Sequence, residues 1–389
     1  MDMKSFLTAL KKNAMLVVLV LVYLFFMILT KGGIFSPSSF TELINQNAYV
    51  YILGAGMLMC MLTGGNIDLS CGAFVCLLGA IGGVFMIVRG MGTGVSILLM
   101  LLIGVAYGCG LGYLIAYVHV PPWIATLAGY LAFRGLGTSI LSSNSKTGSL
   151  APFPLNFQNL FYGRIFPTEK GVFNAPCFAF GVLAAAIVVF IIFHTRSSRL
   201  AKGYEADTVK SAALKSGLGS AVILLVMTKL SMDGGIPTTL LWVAGIILIY
   251  SFITSKTTVG RHFYVVGGNM EAARLSGVNT RRIMFLAYLN MAVLSSIATM
   301  SVIARSQSAY ADIGKNFEMD AISACVVGGV SASGGAGTVL GMVIGATLIG
   351  VINLGMSLIS LDANYQRVIK GFVLLAAVVF DIVSKKREK

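Results

Sequence analysis

Apolar residues in this chain come in long blocks, not in the alternation of a half-buried strand or the three-and-four spacing of a soluble amphipathic helix. The blocks fall at about 14–30, 48–63, 73–88, 95–118, 123–141, 177–194, 217–230, 238–255, 283–304, 319–330, 338–358 and 366–383. Most approach the roughly 17 to 25 residues that a helix needs to cross a hydrocarbon core of about 30 Å. Two of them, 217–230 and 319–330, are short. Short spans predict broken or re-entrant helices, which persist only where protein or a water-filled cavity satisfies the backbone. The pattern therefore predicts an all-α polytopic membrane protein of about 10–12 transmembrane helices, short and broken ones included, forming a single transmembrane domain over 1–389.

Composition agrees: 57% of residues are hydrophobic, 11% are charged and the mean hydropathy is +0.88, against about 25% charged in a soluble domain. The first block follows Lys4, Lys11 and Lys12 but leads into "KGGIFSPSS" without a small-x-small pattern, so it reads as an uncleaved span. The six cysteines show neither metal-ligand spacing nor a disulfide framework and read as packing residues. The net charge of +14 is spread over short loops, which argues against nucleic acid. It encodes topology instead. The N-terminus, the tail and loops 194–216 and 256–282 hold 17 Lys and Arg, whereas the opposite loops hold 7; the positive-inside rule makes the first set cytoplasmic, both termini included. Loop 142–176, rich in turn formers and aromatics, is then extracytoplasmic, either as a plain connection or as a cover or partner surface at the outer mouth.

Two polar breaks interrupt the apolar pattern. "GGNIDLSCG" (64–72) supplies Asn66, Asp68 and Ser70 beside two glycines; Asp68 either caps the next span or lines a pathway, and the two roles are compatible. "GGVSASGGAGT" (328–338) repeats the scheme with Ser331, Ser333 and Gly334, a weak internal repeat of the sort that transporters place at a central route. Gly104, Gly108 and Gly112, and Gly337, Gly341 and Gly345, mark helix faces for close packing. Arg134 stands inside its span and is expected to face a hydrated interior, whereas Lys229, Asp233, Arg367 and Lys370 are expected to snorkel outward. Asn290 and Asn353 read as interhelical hydrogen bonds.

Between two apolar blocks lies "GGNMEAARLSGVNTRR" (267–282), which reads as a soluble helix. Asn269 is a favoured N-cap, Glu271 suits the positive helix end, Arg274 stands three residues beyond it, and Gly277 fits the left-handed position that stops a helix. Two turns are marginal alone, and only Met270 and Leu275 are large and apolar, too few for firm lipid binding. Docking onto another protein is the expectation.

No G-x-x-x-x-G-K-[ST] loop occurs, so nucleotide hydrolysis is expected on a separate subunit. No catalytic constellation, metal site or bound cofactor is expected in this chain. Acidic pairs deep in spans, usual in ion-coupled carriers, are also missing from the pattern. An ion-coupled secondary transporter working alone and a non-transporting scaffold remain alternatives at this point.

The motifs "GGNIDLSCG", "IATLAGYLAFRGLG", "GRHFYVVGGNMEAARLSGVN", "EMDAISACVVGGVSASGGAGTVLG" and "YQRVIKG" together resemble the membrane permease of bacterial sugar ABC importers. The extra apolar pair at 217–255 is most similar to the xylose and multiple-monosaccharide branch. The resemblance implies a homodimer in the inner membrane. It also implies an extracytoplasmic sugar-binding protein, a cytoplasmic ATPase that holds the ATP and Mg, and a monosaccharide such as xylose, galactose or glucose as substrate. It further implies that Glu271, Ala272, Ala273, Arg274, Leu275, Ser276 and Gly277 form the coupling helix seated in a groove of the ATPase. Asn66 and Cys71 depart from the residues common at those positions. Permeases of the same superfamily for a nucleoside, an autoinducer or a branched-chain amino acid are the nearest alternatives.

Overall fold

The computed structural model describes residues 14–206 and 208–387; Lys4, Lys11, Lys12 and Lys389 lie outside the described residues. Helix α1 (Ala14–Leu29) leads through a short 3-10 turn into α2 (Pro37–Leu62), then α3 (Cys71–Gly83), continued by a π-turn over Val84–Val88, α4 (Thr93–Ala116) and α5 (Pro122–Asn144). The next stretch holds β1 (Ser149–Leu150), α6 (Leu155–Tyr162) and β2 (Arg164–Ile165), followed by α7 (Ala175–Ala201), α8 (Val209–Met232), β3 (Ile236–Pro237) and α9 (Thr238–Lys256). Two short helices, α10 (Thr258–Gly268) and α11 (Met270–Leu275), precede α12 (Thr280–Ser306), β4 (Ala309–Tyr310), α13 (Phe317–Val327), α14 (Val339–Leu358) and α15 (Ala363–Arg387). Among the described residues eight helices are long and apolar enough to cross a membrane, with α1 a shorter apolar helix.

Several ends differ from the apolar blocks for local reasons. Helix α2 starts well before residue 48 because Ser36 accepts the Ser39 amide at 3.3 Å and Pro37 occupies the first helical position. The block at 217–230 is not short: Thr208 caps the helix through the Ser211 amide, and α8 runs 24 residues through a polar first half that hydropathy overlooks. Helix α7 likewise continues to Ala201, past the apolar block. The block at 319–330 does stay short, as the 11 residues of α13.

Helices α2, α12 and α14 form the buried centre, with α12 packed along α4 and α2. Glycines set that closeness: a Cβ on Gly104 would sit 2.0 Å from the Ser296 hydroxyl of α12. The α13–α14 hairpin is as tight, since a Cβ on Gly345 would sit 2.0 Å from the Ala324 carbonyl. Around this centre α5, α7 and α8 turn side chains such as Leu131, Phe190 and Leu218 outward, each more than half exposed. A contiguous apolar surface of that extent is stable against lipid and not against water.

One end of the bundle carries the GGN turn at Gly267–Asn269 and is called the GGN end below. At the far end, residues 145–174 fold down onto the bundle. Strand β1 pairs with β4 and β2 with β3, both antiparallel, while Phe153, Phe157 and Phe161 are buried and Phe161 stacks on Trp242 at 5.1 Å. Arg164 grips the buried Asp233 carboxylate at 3.0 Å, and the Asn174 amide donates to the Ser231 hydroxyl at 2.9 Å. Asp233 is therefore paired inside the fold, and Lys229 lies over the Phe35 ring at 3.8 Å.

Candidate functional site

The GGN helix forms locally, as its sequence dictates. Asn269 Oδ1 accepts the Ala272 amide at 2.9 Å, Arg274 meets Glu271 at 3.7 Å, and Gly277 takes φ +82°. Ala273 is buried, whereas Leu275 is 80% exposed at the tip. Asn279 then caps α12 through the Arg282 amide at 3.0 Å. The helix is thus clamped between two capped neighbours with its apolar tip projecting.

What precedes it was not evident in the sequence. Thr257 caps α10 through the Gly260 amide at 3.0 Å, and only Asn269 separates α10 from α11. At the end of α10 three glycine pairs converge. A Cβ on Gly267 would lie 1.7 Å from the Leu62 carbonyl of α2 and 2.6 Å from the Gly335 nitrogen. A Cβ on Gly65 would lie 2.0 Å from the Ala332 carbonyl. The Gly335 amide donates to Leu62 O at 3.1 Å, and the Tyr264 hydroxyl of α10 donates to Gly337 O at 3.0 Å. Burial pushes the Tyr264 phenol above its ordinary range, which keeps it a neutral donor. Both polar breaks and the helix pair before α12 thus meet backbone to backbone at one junction.

The expected pathway residues distribute around this junction unevenly. Asn66 donates to the Thr63 carbonyl at 3.0 Å and holds the first turn. Asp68 is buried; its Oδ1 accepts from the Ser70 amide at 2.8 Å and the Ser70 hydroxyl at 2.5 Å, closing an Asx turn ahead of α3. Ser70 in turn contacts the Tyr107 hydroxyl of α4 at 2.5 Å. Ser331 and Ser333 share a hydrogen bond at 2.9 Å, and Gly334 packs against Gly64. Arg134 is apart from all of these: its guanidinium donates to Ala311 O at 2.9 Å and Ile313 O at 2.8 Å, tying α5 to the far-end loop before α13. Asn290 accepts from Tyr250, an interhelical bond between α12 and α9, but the Asn353 carbonyl has no such partner among the described residues.

A second set of residues has no motif. At the far end, α2, α12, α13, α14 and α15 line a half-open cavity of about 240 Å³ whose lining includes Asn45, Tyr49, Ser301, Arg305, Asn353 and Lys370. Lys370 does not snorkel: its ammonium meets the buried Asp320 carboxylate at 3.0 Å, which also accepts from Tyr49 at 2.5 Å. Tyr49 stacks on Phe317 with ring centroids 3.6 Å apart. The signal in sequence was slight, an Asn-Gln-Asn run at 45–47 ahead of an apolar block.

The family described as branched-chain amino acid transport system / permease component matches residues 39–378. The chain belongs to this permease family. The permease is 32% identical over 377 residues to the xylose transport system permease protein XylH of Haemophilus influenzae, covering 96% of both chains. It is 31% identical over 373 residues to XylH of Escherichia coli, covering 96% of this chain and 92% of that one. It is 30% identical over 347 residues to the ribose import permease protein RbsC of Bacillus subtilis, covering 89% and 85%. No solved structure matches it. The permease is a multi-pass helical membrane protein.

Proposed function

We propose that this permease is the membrane subunit of an ATP-driven monosaccharide importer, with pentoses such as xylose or ribose the first substrates to test. The observation that carries the reading is the wiring of the GGN helix: an exposed, preformed helix joined through α10 to a junction that holds both polar breaks. A part of that kind suits a subunit whose driving force arrives from outside the bundle. The names of the xylose and ribose permeases to which the chain is similar support the sugar class.

In this account the GGN end faces the cytoplasm, a reading that the charge asymmetry of the loops supports, and both termini lie there too. A cytoplasmic ATPase, holding ATP and Mg, receives Glu271 to Gly277 in a groove. A second copy of the permease completes the route, and a sugar-binding protein delivers substrate to the far end. When the ATPase pair closes, α11 shifts and α10 carries the displacement to Gly65 and Gly334, biasing the bundle between outward- and inward-open forms. Asn66, Asp68 and Ser70 shape one hinge, and Ser331, Ser333 and Gly334 the other.

The test is reconstitution of the permease with its ATPase and binding protein in proteoliposomes, followed by uptake of labelled D-xylose, D-ribose, D-galactose and leucine. ATP-dependent uptake of a sugar is expected. Uptake that follows an ion gradient without ATP, or of leucine alone, would overturn the reading.

A further inference from the structure

Helices α7 and α8 form a hairpin longer than a membrane requires. Their far ends are pinned together: Asn174 caps α7 through the Cys177 amide at 3.1 Å, and its own amide donates to the Ser231 hydroxyl at 2.9 Å. From there α7 runs 27 residues and α8 runs 24, a rise of about 40 and 36 Å against a hydrocarbon core of about 30 Å. The hairpin tip, residues 195–215, therefore reaches the headgroup layer at the GGN end.

The tip combines two kinds of side chain that water alone does not suit. It holds five basic residues, Arg196, Arg199, Lys202, Lys210 and Lys215, against two acidic ones, Glu205 and Asp207, and Arg199, Lys202 and Lys210 are exposed. The start of α8 adds the positive end of a helix dipole. Among these charges Leu200, Tyr204, Val209 and Leu214 are 49–65% exposed. Membrane topology accounts for the Lys and Arg but asks for no apolar side chains beside them. A headgroup layer takes both, with cations at the phosphates, apolar groups at the acyl boundary and tyrosine favoured in between.

The helix face decides between lipid and a soluble partner. Lys210, Leu214, Leu218, Val222 and Leu225 are exposed and follow one another at helical spacing on α8. One stripe thus runs unbroken from the hydrocarbon core into the charged tip, so the neighbour of its core half is also the neighbour of its end. We infer that the α7–α8 tip binds the phosphodiester headgroups of anionic phospholipid in the leaflet at the GGN end, with Arg199, Lys202 and Lys210 at the phosphates and Leu200, Tyr204, Val209 and Leu214 at the acyl boundary. The assignment holds whichever substrate the permease moves.

A local quenching measurement tests it. Ala201 is exposed at the tip and accepts a fluorophore as Ala201→Cys in a Cys109→Ser background, the other cysteines being buried. The full-length permease is placed in phosphatidylcholine nanodiscs, and nitroxide-labelled phosphatidylglycerol or nitroxide-labelled phosphatidylcholine is titrated in. Each Lys or Arg at an anionic headgroup strengthens association about fivefold, so after salt screening three of them should bring half-maximal quenching at a phosphatidylglycerol fraction about tenfold below that of phosphatidylcholine. Arg199→Gln with Lys202→Gln and Lys210→Gln should merge the two curves. Lys256→Gln with Arg261→Gln and Arg281→Gln removes the same charge from exposed positions outside the hairpin and should leave them apart. The parent's curves should also converge in about 1 M NaCl, a readout that needs no variant. Coincident curves for the parent at low salt overturn the inference, as do the two triple variants behaving alike. Loss of phosphatidylglycerol quenching when the ATPase subunit is added also overturns it and makes the tip a protein-docking surface.

Discussion

The junction beside the GGN helix makes a sharp prediction at two adjacent residues. In Gly267→Ala the new methyl stands 1.7 Å from the Leu62 carbonyl oxygen and 2.6 Å from the Gly335 nitrogen. Those are the acceptor and donor of one hydrogen bond, 3.1 Å long, so the methyl wedges into it. Both contacts are to backbone, and a rotamer change cannot relieve them. Reaching even the closest separation that real Cβ atoms show, 3.0 Å, requires the α2 end and α10 to part by at least 1.3 Å. Overpacking of this sort costs about 1–3 kcal/mol, and the carbonyl that loses its donor adds about 1–3 kcal/mol. A combined loss of about 2–6 kcal/mol should lower the melting temperature in detergent by about 5 °C. Gly268→Ala is the internal control: a methyl there meets nothing within 4 Å, and alanine is favoured over glycine in a helix by about 1 kcal/mol, so its melting temperature should match or exceed the parent's. In the reconstituted assembly Gly267→Ala should also depress sugar uptake more than ATP hydrolysis, because the lesion lies between the GGN helix and the breaks. Equal melting temperatures for the two variants, with equal uptake, would refute the junction.

Other outcomes follow from single contacts. Asn269→Ala removes the cap on the Ala272 amide and should cost about 1 kcal/mol, seen as faster hydrogen exchange over 270–276, whereas Asn269→Asp should restore protection. Arg164→Met strips the main partner from buried Asp233 and should destabilise the far-end cap by about 3 kcal/mol. Lys170, 3.7 Å from the same carboxylate, should limit that loss, so Arg164→Met with Lys170→Met should be worse than either change alone. Tyr49→Phe keeps the stack on Phe317 but removes the donor to Asp320, and should cost about 1–3 kcal/mol in melting while leaving the Lys370 pair in place.

How much of this was legible in sequence depended on the range of the interaction. The GGN helix was readable to the residue because its cap, its i,i+3 pair and its left-handed stop all act within one or two turns. The apolar blocks located the helices but misjudged ends set by capping, as at Ser36 and Thr208, where polar residues carry a helix past its greasy centre. The similarity of the two Gly-Gly breaks was visible; their meeting with Gly267 was not, since nothing local in "YVVGGN" marks a carbonyl some two hundred positions earlier in the chain. The cavity was the least visible part. Its polar side chains come from helices spread between Asn45 and Lys370, and a lone Asn in an apolar run reads as a helix-to-helix hydrogen bond. For Asn290 that reading agrees with the structure. For Asn353 the carbonyl finds no partner among the described residues.

The central claim is that force enters through the GGN helix, and site-directed cross-linking tests it most directly. Leu275 is 80% exposed on that helix, and of the six cysteines only Cys109 is not buried. Leu275→Cys, in a background with Cys109→Ser, should form a cross-link to the ATPase subunit in the assembled complex and should resist a membrane-impermeant thiol reagent applied from outside the cell. Labelling from outside, or cross-linking to the sugar-binding protein in place of the ATPase, would contradict the account.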